Sequence, residues 1–334
     1  MRTHARCKRR PHPQIWAVCC HVGTQRLVIF MSEVHVIIPV YNRATVVERA
    51  IRSVLAQTLP PAAVVVVDDA STDNPREVVA GIGDPRVRYV RLEQNAGGGA
   101  ARNLGIDEAD SAYVAFLDSD DAWEPTHLED SLKTLVADDV DGVISSFYVD
   151  RGDGPEPFVC QPFAPNVSMV DYILDSGGGD PRSSTMVFRR EAVSAVRFDP
   201  SLRKHQDWDL AIRFSDAFAF AVKTDPSVVM HVERDDRMSA RANPEATEVF
   251  LDRHIASARA SSAARAYTVL MRRALVDGGG RSAYARYRRR AWSYVGAASP
   301  RVRAEMALVS VPPLARAALK AHALLRGSRS GRKR

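Results

Sequence analysis

The stretch AFLDSDDAW (115–123) places Asp118, Asp120 and Asp121 within four positions, directly after an apolar run. Ionised carboxylates that close repel one another. Their usual reason to gather is a cation, either a metal or a charge on a substrate. A second pair, Asp68 and Asp69, ends the run AAVVVVDDAS. One such residue suffices to cap the next helix, so a pair asks for a further role. A third feature is NAGGGAARNLG (95–105). Its glycines allow close backbone approach to a ligand, and Arg102 and Asn103 follow them directly. The pattern is not G-x-G-x-x-G, because Arg102 stands at the last glycine position, which argues against a dinucleotide site.

These residues need elements to hold them. VHVIIPV (34–40) is a continuous apolar, β-branched run and predicts a strand buried on both faces. ATVVERAIRSVLAQTL (44–59) carries Val47, Ala50, Ile51, Val54 and Leu55 at helical spacing, and Pro60-Pro61 stop it. Strands follow at 62–71, 87–92, 112–121 and 140–149, with helices between them; Pro125 suits the first turn of the helix over 125–137. The β-α-β alternation predicts an α/β sandwich with a mostly parallel sheet. Tyr41-Asn42, Asp68-Asp69 and Asp118-Asp120 then fall at the carboxyl ends of strands, where such sheets bind ligands. From 151 the pattern loosens into loops, with a helix over 204–217. After about 240 the chain is Ala/Arg-rich and helical.

Composition bounds the class. A chain of 334 residues, 46% hydrophobic and 26% charged, has an ordinary globular core. Its net charge of +6 is unevenly spread. Residues 1–31 hold six Lys/Arg and no acid, and residues 281–334 hold fourteen against Glu305 alone, which leaves the body between them at −13. An acidic body does not fit a nucleic-acid-binding surface. A basic tail fits an anionic partner such as a membrane face. Cys7, Cys19, Cys20 and Cys160 make neither a disulfide framework nor a metal knuckle, as in a reducing compartment. Residues 1–31 are expected to be a disordered or mis-assigned extension.

VHVIIPVYNRATVVERAIRSVLAQT, VVVVDDASTDNP, NAGGGAARNLGI, AFLDSDDAW and QDWDLAIR occur in the order and spacing of family 2 glycosyltransferases, which the chain resembles from 34 to about 240. The resemblance implies the GT-A fold, a Rossmann-like three-layer α/β/α sandwich, here followed by C-terminal helices. A nucleotide-binding half is expected over 32–150, an acceptor-binding half over 151–240 and a basic helical region over 241–334. Pro39, Tyr41, Asn42 and Arg43 would cradle base and ribose. Asp69, with Asp68 beside it, would accept from the nucleotide base. Gly98, Arg102 and Asn103 would face ribose or phosphate.

Asp118-x-Asp120 resembles the family's D-x-D motif. Asp120 would bind a divalent cation, Mn²⁺ or Mg²⁺, and Asp118 would contact ribose or metal-bound water. Such an ion reconciles carboxylates with an anionic diphosphate and stabilises the leaving group. Asp121 is expected to cap the helix after Pro125, and Trp123 to pack. Asp207 is the implied general base, with Gln206 where the family usually has Glu. His231 is a candidate metal ligand, and Arg234 or Arg237 a phosphate partner.

The implied reaction is transfer of a sugar, with inversion, from a nucleotide-diphosphate sugar to an acceptor hydroxyl. A glycan or lipid-linked acceptor in cell-surface polysaccharide or glycolipid synthesis is expected, in the cytoplasm or at the inner membrane face. Two rivals stand beside it. A non-catalytic nucleotide-sugar-binding module would have lost its base or metal motif. A sugar-phosphate nucleotidyltransferase would need a glycine-rich phosphate loop at the first strand, which VIIPVYNRAT lacks.

Overall fold

The computed structural model describes residues 34–164, 166–175, 178–232, 243–276 and 280–317. The extension at 1–31, Arg234, Arg237 and the chain beyond 317 lie outside the described residues. The first half alternates: β1 (Val34–Val40), α1 (Val47–Leu55), β2 (Ala63–Asp68), α2 (Pro75–Gly81), β3 (Val87–Arg91), α3 (Gly98–Asp107) and β4 (Tyr113–Phe116). β5 (Asp121–Trp123), α4 (His127–Ala137), β6 (Gly142–Asp150), β7 (Pro155–Phe158) and α5 (Met169–Leu174) follow. A 3-10 turn at Ser183–Thr185 leads into β8 (Met186–Arg189), α6 (Arg190–Val196), α7 (Gln206–Ala217) and β9 (Phe220–His231). The last helices are α8 (Pro244–His254), α9 (Ala260–Val276), α10 (Gly280–Ser293) and α11 (Pro300–Val309).

Among the described residues the strands form one sheet in the order β3-β2-β1-β4-β8-β6-β9-β5, with β7 added to β6. The expected parallel sheet is the block β3-β2-β1-β4 together with β6 beside β9, while β8 enters antiparallel between β4 and β6. The strand order reverses between β1 and β4. Their carboxyl ends therefore open the crevice where such sheets bind ligands.

Alternation along β1 explains the layers. Val36, Ile38 and Val40 face a core shared with α1, α2 and α4, and Ile37 faces one shared with α3, α5 and α7. The second core is continuous with the C-terminal helices through Phe250, Tyr267, Met271, Tyr287 and Met306. The basic region from 243 to 317 is thus packed onto the body rather than trailing from it.

The expected strand over 112–121 divides in two. Asp118 to Asp121 form a turn closed by the Asp121 N–H donating to the Asp118 carbonyl at 3.1 Å. Aspartate favours turns over strands, and three of them outweigh the apolar run before them. Asp121 begins β5 rather than capping α4. β7, within a stretch expected to be a loop, is a short exposed edge strand with Pro155 and Pro157.

α3 lies against β1 with no room at Gly105, where a Cβ would overlap the fully buried Ile37 side chain. Gly105→Ala would gain about 1 kcal/mol of helix propensity. Overpacking costs about 1–3 kcal/mol, and Ile37 is held in the sheet and cannot retreat. We expect a net loss of stability of up to about 2 kcal/mol, the upper end because Ile37 cannot retreat, read as a lower urea midpoint with an unchanged slope.

Candidate active site

Two loops meet at the carboxyl ends of β1 and β2. Asn42 takes a left-handed backbone, φ 52°, which asparagine tolerates better than most residues. Its Oδ1 accepts from the Thr72 N–H at 2.8 Å, and its own N–H donates to Ser71 Oγ at 3.0 Å. Pro39 is paired in β1, and the Arg43 carbonyl opens α1 by accepting from the N–H groups of Val46 and Val47. Tyr41 stands about half exposed at the rim.

The adjacent aspartates differ in role. Asp68 is fully buried and accepts from Tyr89 Oη, Arg91 and the Ser71 N–H. Burial pushes its carboxyl up, but the bonds from Ser71, Tyr89 and Arg91 outweigh it and hold the group below the ordinary range. Its oxygens serve the frame. Asp69 accepts from the Ala96 and Gly97 N–H groups at 2.7 and 2.8 Å and so anchors the glycine loop. Burial raises its pKa despite those two donors. Gly97 sits at φ 89°, where a side chain would be strained, and α3 begins at the next residue.

Arg102 reaches from the second turn of α3 to the Asp118 carboxylate and, at 3.3 Å, to Gln206 Oε1, with its guanidinium 5.2 Å from the Phe198 ring centroid. Gly98 leaves space for that fan: a Cβ there would lie 3.0 Å from an Arg102 nitrogen. Asn103 is not offered to the crevice. Its amide donates to the Phe198 carbonyl and accepts from the Phe198 N–H.

Asp118 and Asp120 are half-buried in the turn, and Asp121 is buried beneath them. Burial, then the charges of Asp120 and Asp118, push the Asp121 carboxyl well above its ordinary range, and Ser184 and Arg182 only partly oppose this. Ser184 Oγ donates to Asp121 at 2.5 Å and accepts from the Asp118 N–H at 3.1 Å, and its carbonyl accepts from Trp123 Nε1. Trp123 packs, as expected. His231 ends β9 opposite Asp150, 3.5 Å between nitrogen and carboxylate oxygen. It lies one step beyond the Asp121–Met230 pair, so the register brings it to the same edge as the turn. Among the described residues no three His, Cys, Asp or Glu side chains converge as a ready-made metal cage.

Asp207 lies half-buried in the first turn of α7. A helix N-terminus alone would lower its pKa. Burial instead raises it; Arg182 and Arg102 pull it back, Asp180 and Asp118 add to the rise, and the result is about 6. Asp209, two residues on, belongs to the frame, accepting from Arg213 and, at 2.9 Å, bonding His254 of α8. Phe250 of α8 packs on His205 and Trp208, with ring centroids 5.1 and 5.8 Å away, so the C-terminal helices brace this helix start.

The segment 180–184, expected only as loop, joins the two ends of the crevice. Asp180 accepts from Trp208 Nε1 at 2.8 Å and from Arg182 at 2.6 Å. Ser184, four residues on, holds the Asp118–Asp121 turn. Burial works against the charge on Arg182, but Asp180 and Asp207 outweigh it and keep the guanidinium protonated. Asp180→Asn keeps an oxygen for Trp208 but removes a negative charge near Asp207. The expected result is a lower pKa for Asp207, seen as a downward shift of the acidic limb in a pH–rate profile.

The chain resembles known proteins in sequence and in fold. Glycosyl transferase family 2 matches residues 35–197, which hold the glycine loop, the aspartate turn and the 180–184 segment but not Phe198, His205, α7, β9 or the helices after them. An uncharacterised glycosyltransferase of Nostoc sp. is 35% identical over 202 residues, 58% of this chain and 62% of that protein. The chain thus spans under two thirds of that relative's length. The amylovoran biosynthesis glycosyltransferase AmsB of Erwinia amylovora is 30% identical over 208 residues, 59% of this chain and 69% of that protein. In the crystal structure of S. aureus TarS 1-349 with UDP-GlcNAc, the fold is alike at a TM-score of 0.61 and 22% identity, covering 85% of this chain and 87% of that one. That share exceeds the body up to β9, so the likeness includes C-terminal helices. With its GT-A fold, its aspartate turn at the switch point and these relatives, the chain belongs to glycosyl transferase family 2.

Proposed function

We propose that the chain is an inverting glycosyltransferase that moves a sugar from a nucleotide-diphosphate sugar to an acceptor hydroxyl, in the synthesis of a cell-surface polysaccharide or glycolipid. The observation that carries this reading is Asp207. It is a carboxylate poised near 6, beside the aspartate turn and tied to it through Asp180–Ser184. A general base works best with a pKa near the operating pH. Asp207 would take the proton of the attacking hydroxyl, and one in-line attack inverts the anomeric carbon.

The donor residues in this reading are Pro39 to Arg43, Asp69, Gly98, Arg102 and Asp118. Asp68 and Asn103 support them. The donor set fits a divalent cation that arrives with the diphosphate: Asp120 and Asp118 crowd negative charge at one turn, with His231 at the same edge. Mg²⁺ is commonly held by one or two carboxylates plus substrate phosphates. Such an ion, when bound, would neutralise the departing nucleoside diphosphate. Arg102 holds Asp118 in place, and Ser184 fixes the turn that presents Asp120.

AmsB is named for amylovoran biosynthesis, which supports a biosynthetic role with a glycan or lipid-linked acceptor; in this reading the transfer takes place in the cytoplasm or at the inner membrane face. The test of function is turnover of nucleotide sugars in the presence of octyl glycosides as acceptors. Transfer of one sugar supports the reading. Donor binding without transfer or hydrolysis would point to a binding module instead.

A further inference from the structure

We infer that the outer face of α10 and the end of α11 is a docking surface for an anionic lipid bilayer. This names where the proposed enzyme meets its membrane, and its test does not depend on turnover. Arg281, Arg288, Arg289 and Trp292 recur at helical spacing on the solvent side of α10. Ala283, Tyr287 and Ala291 bury the other side. Trp292 is 42% exposed and donates from Nε1 to Ser310 Oγ at 2.9 Å, which ties it to the residue that closes α11, next in sequence to Val311. Leu308, Val311 and Leu314 follow at three-residue steps and are 42%, 44% and 58% exposed. Four large apolar side chains thus stand in water within one stretch of the surface, although α11 has already buried Val302, Met306 and Val309. Single exposed apolar residues need no explanation, but a group of them rimmed by charge does.

The charge decides the partner. Glu305 is the only acid between 280 and 317, and it is committed to Arg265 and Arg272. Arg286 is paired with Glu248, and Arg303 donates to the carbonyls of Ala298 and Gly296. Arg281, Arg288, Arg289, Arg290, Arg301 and Arg316 remain exposed along α10, α11 and the residues after it. Residues 318–334 add six more Lys/Arg and no acid. A protein partner with a matching apolar patch would not need so much uncompensated positive charge. A bilayer offers both parts: anionic headgroups for the arginines and an interfacial zone that favours tryptophan and leucine. No helix among the described residues is long and apolar enough to cross the membrane, so the contact is parallel to its surface.

The test is flotation of the full chain with phosphatidylcholine vesicles, with and without about a third phosphatidylglycerol. We expect binding to the anionic vesicles that weakens with added salt. The double variant Arg288→Glu, Arg289→Glu should lower partitioning by at least about tenfold, since each basic residue near such a surface contributes about 1 kcal/mol. Leu314→Ser should weaken it as well, with thermal unfolding and donor hydrolysis unchanged in both variants. The inference is overturned if the chain ignores anionic vesicles at low salt. It is equally overturned if both variants bind like wild type while removal of 318–334 abolishes binding, which would assign the contact to the terminal segment alone. A dimer in solution that is lost in Leu314→Ser, without vesicle binding, would assign the face to a second copy.

Discussion

Asp207→Asn is expected to lower glycosyl transfer by about 10²- to 10⁴-fold, the range over which a positioned general base acts. The amide matches the carboxylate in shape but takes no proton. Donor affinity, measured by calorimetry, should change little, because Asp207 faces the acceptor side of the crevice in this reading. The wild-type rate should carry the signature of the same group. Asp207 must be ionised to act, and burial has raised it to about 6. Turnover should therefore rise with pH through about 6 and flatten above it, and this limb should vanish from the residual activity of the variant. A rate profile flat from pH 5 to 8 (on the order of a thousandfold span in proton concentration) would remove Asp207 from the role.

The second large effect is expected at Asp120. Asp120→Asn keeps the turn, whose closing hydrogen bond runs between Asp121 and Asp118, and leaves the Asp120 carbonyl to accept from Arg49. It removes one charge from the crowded carboxylates. Turnover should fall on the order of 10²- to 10³-fold, the scale of losing one electrostatic contact to charge that develops in the transition state. The concentration of Mn²⁺ needed for half-maximal rate should rise as well. The same substitution removes part of the field on Asp121, so stability should hold or improve slightly. A variant that unfolds instead would show Asp120 to be structural.

The sequence made the first half of the fold legible because its strands are unusually plain. VHVIIPV and AVVVV are buried on both faces, and His35 alone interrupts their apolar runs before the loops at their carboxyl ends. The turn at Asp118 was harder, since the apolar run ahead of it extends a strand pattern that three aspartates then end. β7 was hidden by its two prolines, and β5 is only three residues long. In the site, Asp68-Asp69 and Asp118 to Asp121 advertise themselves by type and clustering, whereas Asp207 could be named only through the resemblance to the family.

Asp180, Arg182 and Ser184 could not, because GDPRSST carries no periodicity. It reaches the crevice only because β8 enters antiparallel between β4 and β6, a pairing that no local signal encodes. The split between Asp68 as frame and Asp69 as loop anchor likewise depends on Tyr89 and Arg91, some twenty residues away. The bracing of α7 by Phe250 and His254 is equally long-range, and it turns a helical tail into part of the site's support.

The most direct test of the central claim is acceptor-free turnover of a nucleotide-sugar panel by residues 31–334, with Mn²⁺ and with chelator. The account predicts slow, metal-dependent release of nucleoside diphosphate from one donor of the panel. Binding of donors with no release under any condition, with octyl glycosides added as well, would contradict it.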